Sequence, residues 1–118
     1  MSKSILQEKS YLFAIRAVKL SRYLTKEKRE FTLSRKLLDS GSAIGLFIEE
    51  ARQGDSRGDF RSKLSVANKE AFKTNFLLRL LHDVDLITKE QFDSIIGDCV
   101  ELQKMLISAL KTTQYSDT

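Results

Sequence analysis

The sequence predicts an all-α protein, an antiparallel up-down bundle of four helices, and three observations support this prediction. The 118 residues include no proline, the residue that interrupts helices most strongly. Apolar residues recur at steps of three and four over long stretches, which is the spacing of one helix face. Hydroxyl residues stand where helices would begin, and the connections between the resulting segments are short, as in bundles with antiparallel neighbours.

Two of these helix starts carry the full signature of a capping box. Ser4 precedes Gln7 by three residues, and Thr88 precedes Gln91 by the same interval. In this arrangement the hydroxyl oxygen accepts a hydrogen bond from the third following backbone N–H, while the glutamine accepts one from the backbone N–H of the capping residue. We therefore expect the first and the fourth helix to begin at these residues.

The remaining boundaries rest on weaker signals. Ser56 is followed by an acidic residue at the third position, and Thr32 is the expected cap of the second helix. Gly54 suits the end of the second helix because glycine adopts left-handed geometry freely. The whole chain is expected to form one domain. The predicted helices cover residues 4–27, 32–53, 56–82 and 88–111, with a frayed tail at 112–118.

The predicted core follows the helical period. On the third helix the apolar stripe consists of Phe60, Leu64, Ala67, Ala71, Thr74, Leu78 and Leu81. Cys99 lies on the stripe of the fourth helix, where a free cysteine acts as a small hydrophobic residue. On the second helix Gly41 and Gly45 are four residues apart, and each costs about 1 kcal/mol relative to alanine. We expect close packing of another helix on these glycines to offset that cost.

A second set of apolar residues lies off these stripes. Two phenylalanines four residues apart on the third helix would form a contiguous exposed patch, which favours self-association. The candidate interface residues of this homo-oligomer are Phe72, Phe76, Leu80, Leu46, Ile96, Val100 and Ile107. On the first helix Tyr11, Ile15 and Val18 also lie off the main stripe. The alternative is a wide core with scattered apolar surface residues, which are normal in monomers.

The composition leaves few residues for catalysis or metal binding. One cysteine excludes an internal disulfide, and one cysteine with one histidine excludes most zinc sites. His82 falls in the last predicted turn of the third helix, where it complements the negative helix end, and the sequence places no nucleophile beside it. There is no phosphate-binding loop and no dinucleotide fingerprint. We therefore predict a non-enzymatic protein without a metal or a cofactor.

The hydropathy of the chain predicts a cytoplasmic protein. No stretch reaches the ~20 apolar residues of a membrane span. The first residues lack the apolar run of a signal peptide. We therefore expect no membrane among the partners.

The net charge of +4 is unevenly distributed. Residues 1–31 carry eight basic and three acidic side chains, a net charge of +5, whereas residues 83–118 carry three basic and seven acidic side chains, a net charge of −4. Basic side chains recur along one broad face of the first helix, and such a stripe can follow phosphates through weak, salt-sensitive contacts. The candidate nucleic-acid-binding residues are Arg16, Lys19, Arg22, Lys26, Lys28 and Arg29. The alternative is internal neutralisation, in which the acidic fourth helix lies between two basic helices.

A distinctive residue pattern extends over the second and third helices. It comprises Ser40, Gly41, Ile44, Gly45, Ile48, Glu50, Ala51, Ser56, Asp59, Phe60, Lys63, Leu64, Ala67, Lys69, Glu70, Ala71, Thr74, Leu80 and Leu81. With this pattern the chain resembles the bacterial four-helix bundle family named for open reading frames in 23S rRNA intervening sequences. The match is strong over about residues 33–83, and the flanking helices agree in length and pattern.

The resemblance implies a small cytoplasmic bundle without established enzymatic activity, whose usual assembly is a ring-like homopentamer. It also implies a relation to the accessory proteins of diversity-generating retroelements, which are basic pentamers that work with a reverse transcriptase and nucleic acid. Glu50, Lys69 and Glu70 match the family pattern, and we expect them to form ion pairs or hydrogen bonds that fix helix register or subunit contacts.

Two functional hypotheses follow. The first is a non-enzymatic homo-oligomeric adaptor with weak affinity for RNA or DNA. The alternative is a purely structural or protein-interaction module, with an unknown protein partner and no nucleic-acid binding.

Overall fold

Four α-helices form an all-α bundle, as the sequence predicts. The structure, a computed structural model, describes residues 4–116, and it describes side chains as far as residue 113. The helices are α1 (Ile5–Glu27), α2 (Thr32–Arg52), α3 (Arg57–Asp83) and α4 (Lys89–Ser116). The predicted bounds agree to within one residue, except that α4 continues to Ser116 where a frayed tail was expected from residue 112. Residues 117–118 of that tail lie outside the described residues.

The helices follow one another around the bundle. α1 packs on α2, α2 on α3, and α3 on α4, while α4 returns to α1 through the least extensive of the four interfaces. Within the described residues the backbones of α1 and α3 do not approach each other closely, so these two helices lie on one diagonal of the bundle and meet only through side chains of the core. The bundle measures 49 × 24 × 20 Å. No helix of the described chain combines the length and the hydropathy needed to cross a lipid bilayer.

Both predicted capping boxes are confirmed. At the start of α1 the backbone N–H of Gln7 donates to Ser4 Oγ at 3.1 Å, and the backbone N–H of Ser4 donates to Gln7 Oε1 at 3.1 Å. At the start of α4 the N–H of Gln91 donates to Thr88 Oγ1 at 3.1 Å, and the N–H of Thr88 donates to Gln91 Oε1 at 2.8 Å. Each pair satisfies two backbone donors that a helix start would otherwise leave without a helical partner.

The start of α2 differs from the prediction. Thr32 is the first helical residue rather than the cap. The cap position is occupied by Phe31, whose side chain forms no hydrogen bond to the backbone. Instead Glu30 Oε1 accepts hydrogen bonds from the backbone N–H groups of Leu33 and Ser34, at 2.7 and 3.1 Å. The predicted Thr32 cap is therefore wrong, because a longer acidic side chain reaches the same donors. Its negative charge also suits the positive end of the helix.

The remaining helix ends show one confirmed cap and one wrong expectation. Ser56 Oγ accepts from the backbone N–H three residues later at 3.0 Å, so it caps α3 as predicted. Gly54 does not adopt left-handed geometry, since no glycine has a positive φ, and its N–H bonds the Ala51 carbonyl at 3.1 Å. Left-handed geometry occurs instead at Arg29 (φ 55°) and Asp85 (φ 63°), just after α1 and α3.

The two glycines of α2 allow α1 to pack closely, as predicted. A Cβ added to Gly41 would lie 2.6 Å from the Cβ of Ala17. A Cβ added to Gly45 would lie 3.3 Å from the backbone oxygen of Ser10. Any side chain at Gly41 would therefore push the two helices apart.

Buried hydroxyl pairs fix the register of neighbouring helices. Thr74 Oγ1 donates to Ser40 Oγ at 2.9 Å, which links α3 to α2. The hydroxyls of Ser21 and Ser34 lie 2.8 Å apart, which links α1 to α2. The predicted stripe of α3 is buried around these contacts, apart from the half-buried Phe60. Because a buried polar group without a partner is costly, a register shift that separated these pairs would be unfavourable.

Candidate functional site

Arg16, the first of the candidate nucleic-acid contacts, is bound to α4 across the partly exposed seam between α1 and α4. Its guanidinium donates to Asp98 Oδ2 at 2.5 Å, to the carbonyl of Ser94 at 2.8 Å and to the Ser94 hydroxyl at 2.6 Å. Lys9 pairs with Glu101 across the same seam at 2.8 Å, and this hydrogen bond and charge raise the pKa of Lys9. Both cations are thus neutralised by acidic residues of α4, as the alternative hypothesis expects. Arg16 is therefore not available to bind a phosphate without first leaving Asp98.

The other five candidates are exposed. We call Lys19, Arg22, Lys26, Lys28 and Arg29 the α1 basic surface. Within the described residues none of their side chains forms an ion pair, and all five lie on the second half of α1 or in the turn after it. An anion could therefore approach them without displacing an internal carboxylate.

Packing extends the α1 basic surface in a way that the sequence pattern did not indicate. The Ser21 and Ser34 hydroxyls are in contact, so the residues that follow them, Arg22 and Arg35, lie at the same level on neighbouring helices. Both arginines are exposed. Arg35 belongs to no stripe on its own helix, and only the register between α1 and α2 brings it to this level.

Acidic residues border the α1 basic surface at one end of the bundle. In an up-down bundle the α1–α2 and α3–α4 connections lie at the same end. The second connection and the first turn of α4 expose Asp83, Asp85 and Glu90. A cleft of about 530 Å³ between α1 and α4 is lined by Lys19, the half-buried Tyr23 and Glu90, among others. On the side that faces α4, the α1 basic surface is therefore bordered by carboxylates.

The predicted apolar surface on α3 is present. Phe72 and Phe76 are 54% and 55% exposed, and with the half-buried Leu80 they form what we call the α3 patch. A groove of about 700 Å³ between α2 and α3 adjoins it and includes Lys69 and Lys73. A pair of phenylalanine rings left this open is unusual unless the surface has a partner.

The other candidates for self-association divide into two groups. Leu46 and Ile107 are exposed. Ile96 and Val100 are half-buried and so offer less surface to a partner, and Ile96 packs against the core.

A second exposed apolar surface lies on α1. Tyr11, Leu12 and Ile15, which we call the α1 patch, are 60%, 59% and 37% exposed. The sequence pattern indicates Tyr11 and Ile15 but not Leu12. Leu12 directly precedes Phe13, and on a helix their side chains point about 100° apart. Phe13 is therefore buried while Leu12 faces outward.

Of the three residues expected to form polar contacts, Glu50 and Glu70 form ion pairs within the described residues. Glu50 pairs with Lys63 at 3.2 Å and so links α2 to α3. Glu70 pairs with Lys73 at 3.1 Å, one turn along the same helix, whereas Lys69 is exposed and lines the groove beside the α3 patch. Lys69 and Glu70 are adjacent residues, so they point about 100° apart on a helix, whereas a spacing of three brings side chains together.

The single cysteine and the single histidine, the side chains best suited to catalysis or metal binding, contact other parts of the bundle. Cys99 is buried, its Sγ lies 3.5 Å from the Ala71 carbonyl, and burial raises the pKa of its thiol to about 12. His82 stacks on Phe92 with ring centroids 4.9 Å apart, and its Nδ1 lies 3.2 Å from Asp83 Oδ1. In the part of the chain that the structure describes, no three His, Cys, Asp or Glu side chains are grouped to hold a metal ion.

Known proteins resemble both the sequence and the fold. The model of the 23S rRNA-intervening sequence protein family matches residues 2–108. A solved structure from Bacteroides thetaiotaomicron, a protein with unknown function from the S23 ribosomal protein family, superposes with a TM-score of 0.90 at 45% sequence identity. The match covers 91% of this chain and 99% of that chain. No curated protein matches the sequence.

The resemblance predicted from α2 and α3 is confirmed, because the family model extends over α1 and most of α4 as well. The chain belongs to the 23S rRNA-intervening sequence protein family.

Proposed function

We propose that this protein is a non-enzymatic, homo-oligomeric adaptor that binds nucleic acid weakly and without sequence specificity. The observation that supports this proposal is the α1 basic surface, whose five side chains are exposed and free of internal ion pairs within the described residues. Lys9 and Arg16, on the same helix, are instead paired with carboxylates of α4, as internal neutralisation would require of every basic residue of α1.

The chemistry of this surface suits phosphates rather than bases. Binding of phosphates by lysine and arginine releases condensed counterions, so affinity falls steeply as salt rises. Stacking of successive single-stranded bases needs several exposed aromatic rings. Tyr23, within the stripe, is half-buried in the α1–α4 cleft, and Phe31, in the turn after Arg29, is a single exposed ring beside this surface. One chain offers few phosphate contacts, so useful affinity requires several copies acting together.

The two apolar patches support the oligomer. A soluble monomer would leave both the α1 patch and the α3 patch in water, at exposures between 37% and 60% for five of their residues. In line with the family resemblance, we propose a pentamer. Repetition of the α1 basic surface around such an assembly would supply the multivalency that a single chain lacks.

Charge reversal tests the nucleic-acid interface. The pair Arg22→Glu with Lys26→Glu should lower affinity for labelled single-stranded RNA and duplex DNA at least tenfold at low salt, measured by fluorescence anisotropy. Since about one phosphate contact is lost per residue, the slope of log affinity against log salt should fall by about two. The matched control is Lys104→Glu with Lys111→Glu, which reverses two exposed lysines on α4 and should leave binding nearly unchanged. Undetectable wild-type binding at low salt, or equal loss in both variants, would contradict the proposal.

A second candidate is a structural or protein-interaction module that binds no nucleic acid. The groove between α2 and α3, with its two open phenylalanine rings, favours it. Under this alternative the salt series shows no binding, while substitutions in the α3 patch still change the assembly.

A further inference from the structure

We propose that the exposed phenyl ring of Phe31 stacks on one base of a single-stranded nucleic acid, whose phosphates lie on the basic side chains around it. Single strands thereby gain a contact that duplexes lack. This inference rests on the nucleic-acid binding of the proposed function and names the form of nucleic acid that the surface accommodates. Phe31 carries no charge and lies outside α1, so the basic stripe of α1 did not indicate it.

The net positive charge of the chain is concentrated around Phe31. Residues 22–36 carry six basic and two acidic side chains, a net charge of +4, which equals the net charge of all 118 residues. The rest of the chain therefore carries equal numbers of basic and acidic side chains. Of the two acidic residues, Glu30 is engaged at the start of α2, and Glu27 follows Tyr23 by one turn and so lies on the side of α1 that faces α4. A polyanion is the ligand whose charge fits this segment.

The register between α1 and α2 places three exposed cations on the same face as Phe31. Arg22 and Arg35 lie at one level, because the serines that precede them are in contact. The step from each serine to its arginine turns the side chain by about 100°, and on antiparallel helices both turns lead to the same side of the pair. Lys26 follows Arg22 by one turn, and Phe31, whose backbone is in the α region, precedes Arg35 by one turn. All four side chains are exposed.

The turn that carries Phe31 is fixed on both sides, and its phenyl ring is open. The backbone N–H of Glu30 donates to the Leu24 carbonyl at 3.0 Å, and the Glu30 carboxylate accepts hydrogen bonds from the start of α2. The Phe31 side chain is 62% exposed, the highest value among the aromatic side chains that the structure describes. Within those residues no other ring or cation lies on it, whereas Arg79 lies over the Phe76 ring at 5.8 Å. A flat face held in place loses little conformational freedom when a base stacks on it.

One open phenyl ring among cations fits a single strand rather than a duplex. The internal bases of a duplex are already stacked and paired, and a base must leave the stack before a side chain can cover its face. In a single strand a base can stack on an aromatic side chain while the cations hold the flanking phosphates. Because every base has a flat face, this contact distinguishes strand form and not sequence. The lysines and arginines thus bind either form, and Phe31 adds a contact that only the single strand uses.

Substitution of Phe31 by leucine separates the effect of the phenyl ring from that of its apolar bulk. Phe31→Leu should lower affinity for labelled oligo-dT at low salt by about fivefold or more, the effect of one lost stacked base. Affinity for the duplex of the same strand with oligo-dA should stay nearly unchanged. The same holds for inorganic polyphosphate, which supplies charges without bases. Because Phe31 is exposed and Glu30 caps α2, the variant should fold like the wild type, which circular dichroism checks.

Substitution by tryptophan reads the contact directly, because the chain has no other tryptophan. The emission of Phe31→Trp should be quenched when oligo-dT binds and unchanged when polyphosphate binds. Its affinity for oligo-dT should be at least that of the wild type, since a larger flat face replaces the phenyl ring.

The outcomes separate this inference from the proposed function. If the wild type binds but Phe31→Leu loses nothing, or loses affinity equally for all three probes, Phe31 stacks on no base and the phosphate-binding surface stands. Unquenched tryptophan emission with bound oligo-dT has the same meaning. A change of mass in Phe31→Leu, measured by sedimentation, would assign Phe31 to a contact between copies and would also overturn the inference. A wild type that binds none of the probes overturns both.

Discussion

At the scale of single residues, Gly41 sets the distance between α1 and α2. The residue is buried, and the position of a Cβ there is already occupied to within 2.6 Å by the Cβ of Ala17. Neither atom can move aside, since both are attached directly to helix backbones. The cost of glycine in a helix is thus offset by the packing that it permits.

Substitution of Gly41 by alanine should lower the free energy of unfolding by about 1–3 kcal/mol, because the two helices must separate. The matched control is Gly97→Ala in the interior of α4, where an added Cβ meets nothing within 4 Å. The control should raise the free energy of unfolding by about 0.5–1 kcal/mol through helix propensity alone. Urea denaturation at one protein concentration measures both. Equal effects in the two variants would show that Gly41 is not a packing residue.

At the scale of the helix, a threonine stands at the start of both α2 and α4, but only the threonine of α4 caps its helix. Thr88 bonds the backbone of α4 through its hydroxyl at 3.1 Å. Thr32 makes no such bond, because Glu30 in the preceding turn already occupies the free N–H groups of α2. The same residue type therefore has a different energetic weight at the two starts.

Alanine at Thr88 should lower the free energy of unfolding by about 1 kcal/mol, the usual cost of a lost cap. Alanine at Thr32 should change it by less than about 0.5 kcal/mol, as for an exposed residue without a specific contact. The comparison uses urea denaturation under identical conditions. A larger loss at Thr32 than at Thr88 would refute this assignment of the caps.

The features that the sequence predicted well are those determined by neighbouring residues. Helix existence, the capping boxes at Ser4 and Thr88 and the buried stripe of α3 depend on spacings of three and four along one helix. Whether Arg16 forms an internal ion pair depends instead on which residue of α4 stands opposite, and interhelical packing determines that residue. The same holds for Arg35, which reaches the level of Arg22 only through the contact between Ser21 and Ser34.

At the scale of the whole molecule, apolar and basic surfaces are separated along α1. Its first half exposes the α1 patch, and its second half exposes most of the α1 basic surface. One helix can therefore contact a neighbouring copy and still present cations to a phosphate backbone. The proposed assembly and the proposed binding activity do not compete for the same residues.

Self-association is the claim on which this account depends, because it explains both apolar patches and supplies the repeated basic surface. Sedimentation of the wild-type protein at micromolar concentration tests it most directly. The account predicts a species whose mass is a multiple of 13.5 kDa, with five copies in line with the family resemblance. A single species of 13.5 kDa across the concentration range would contradict it.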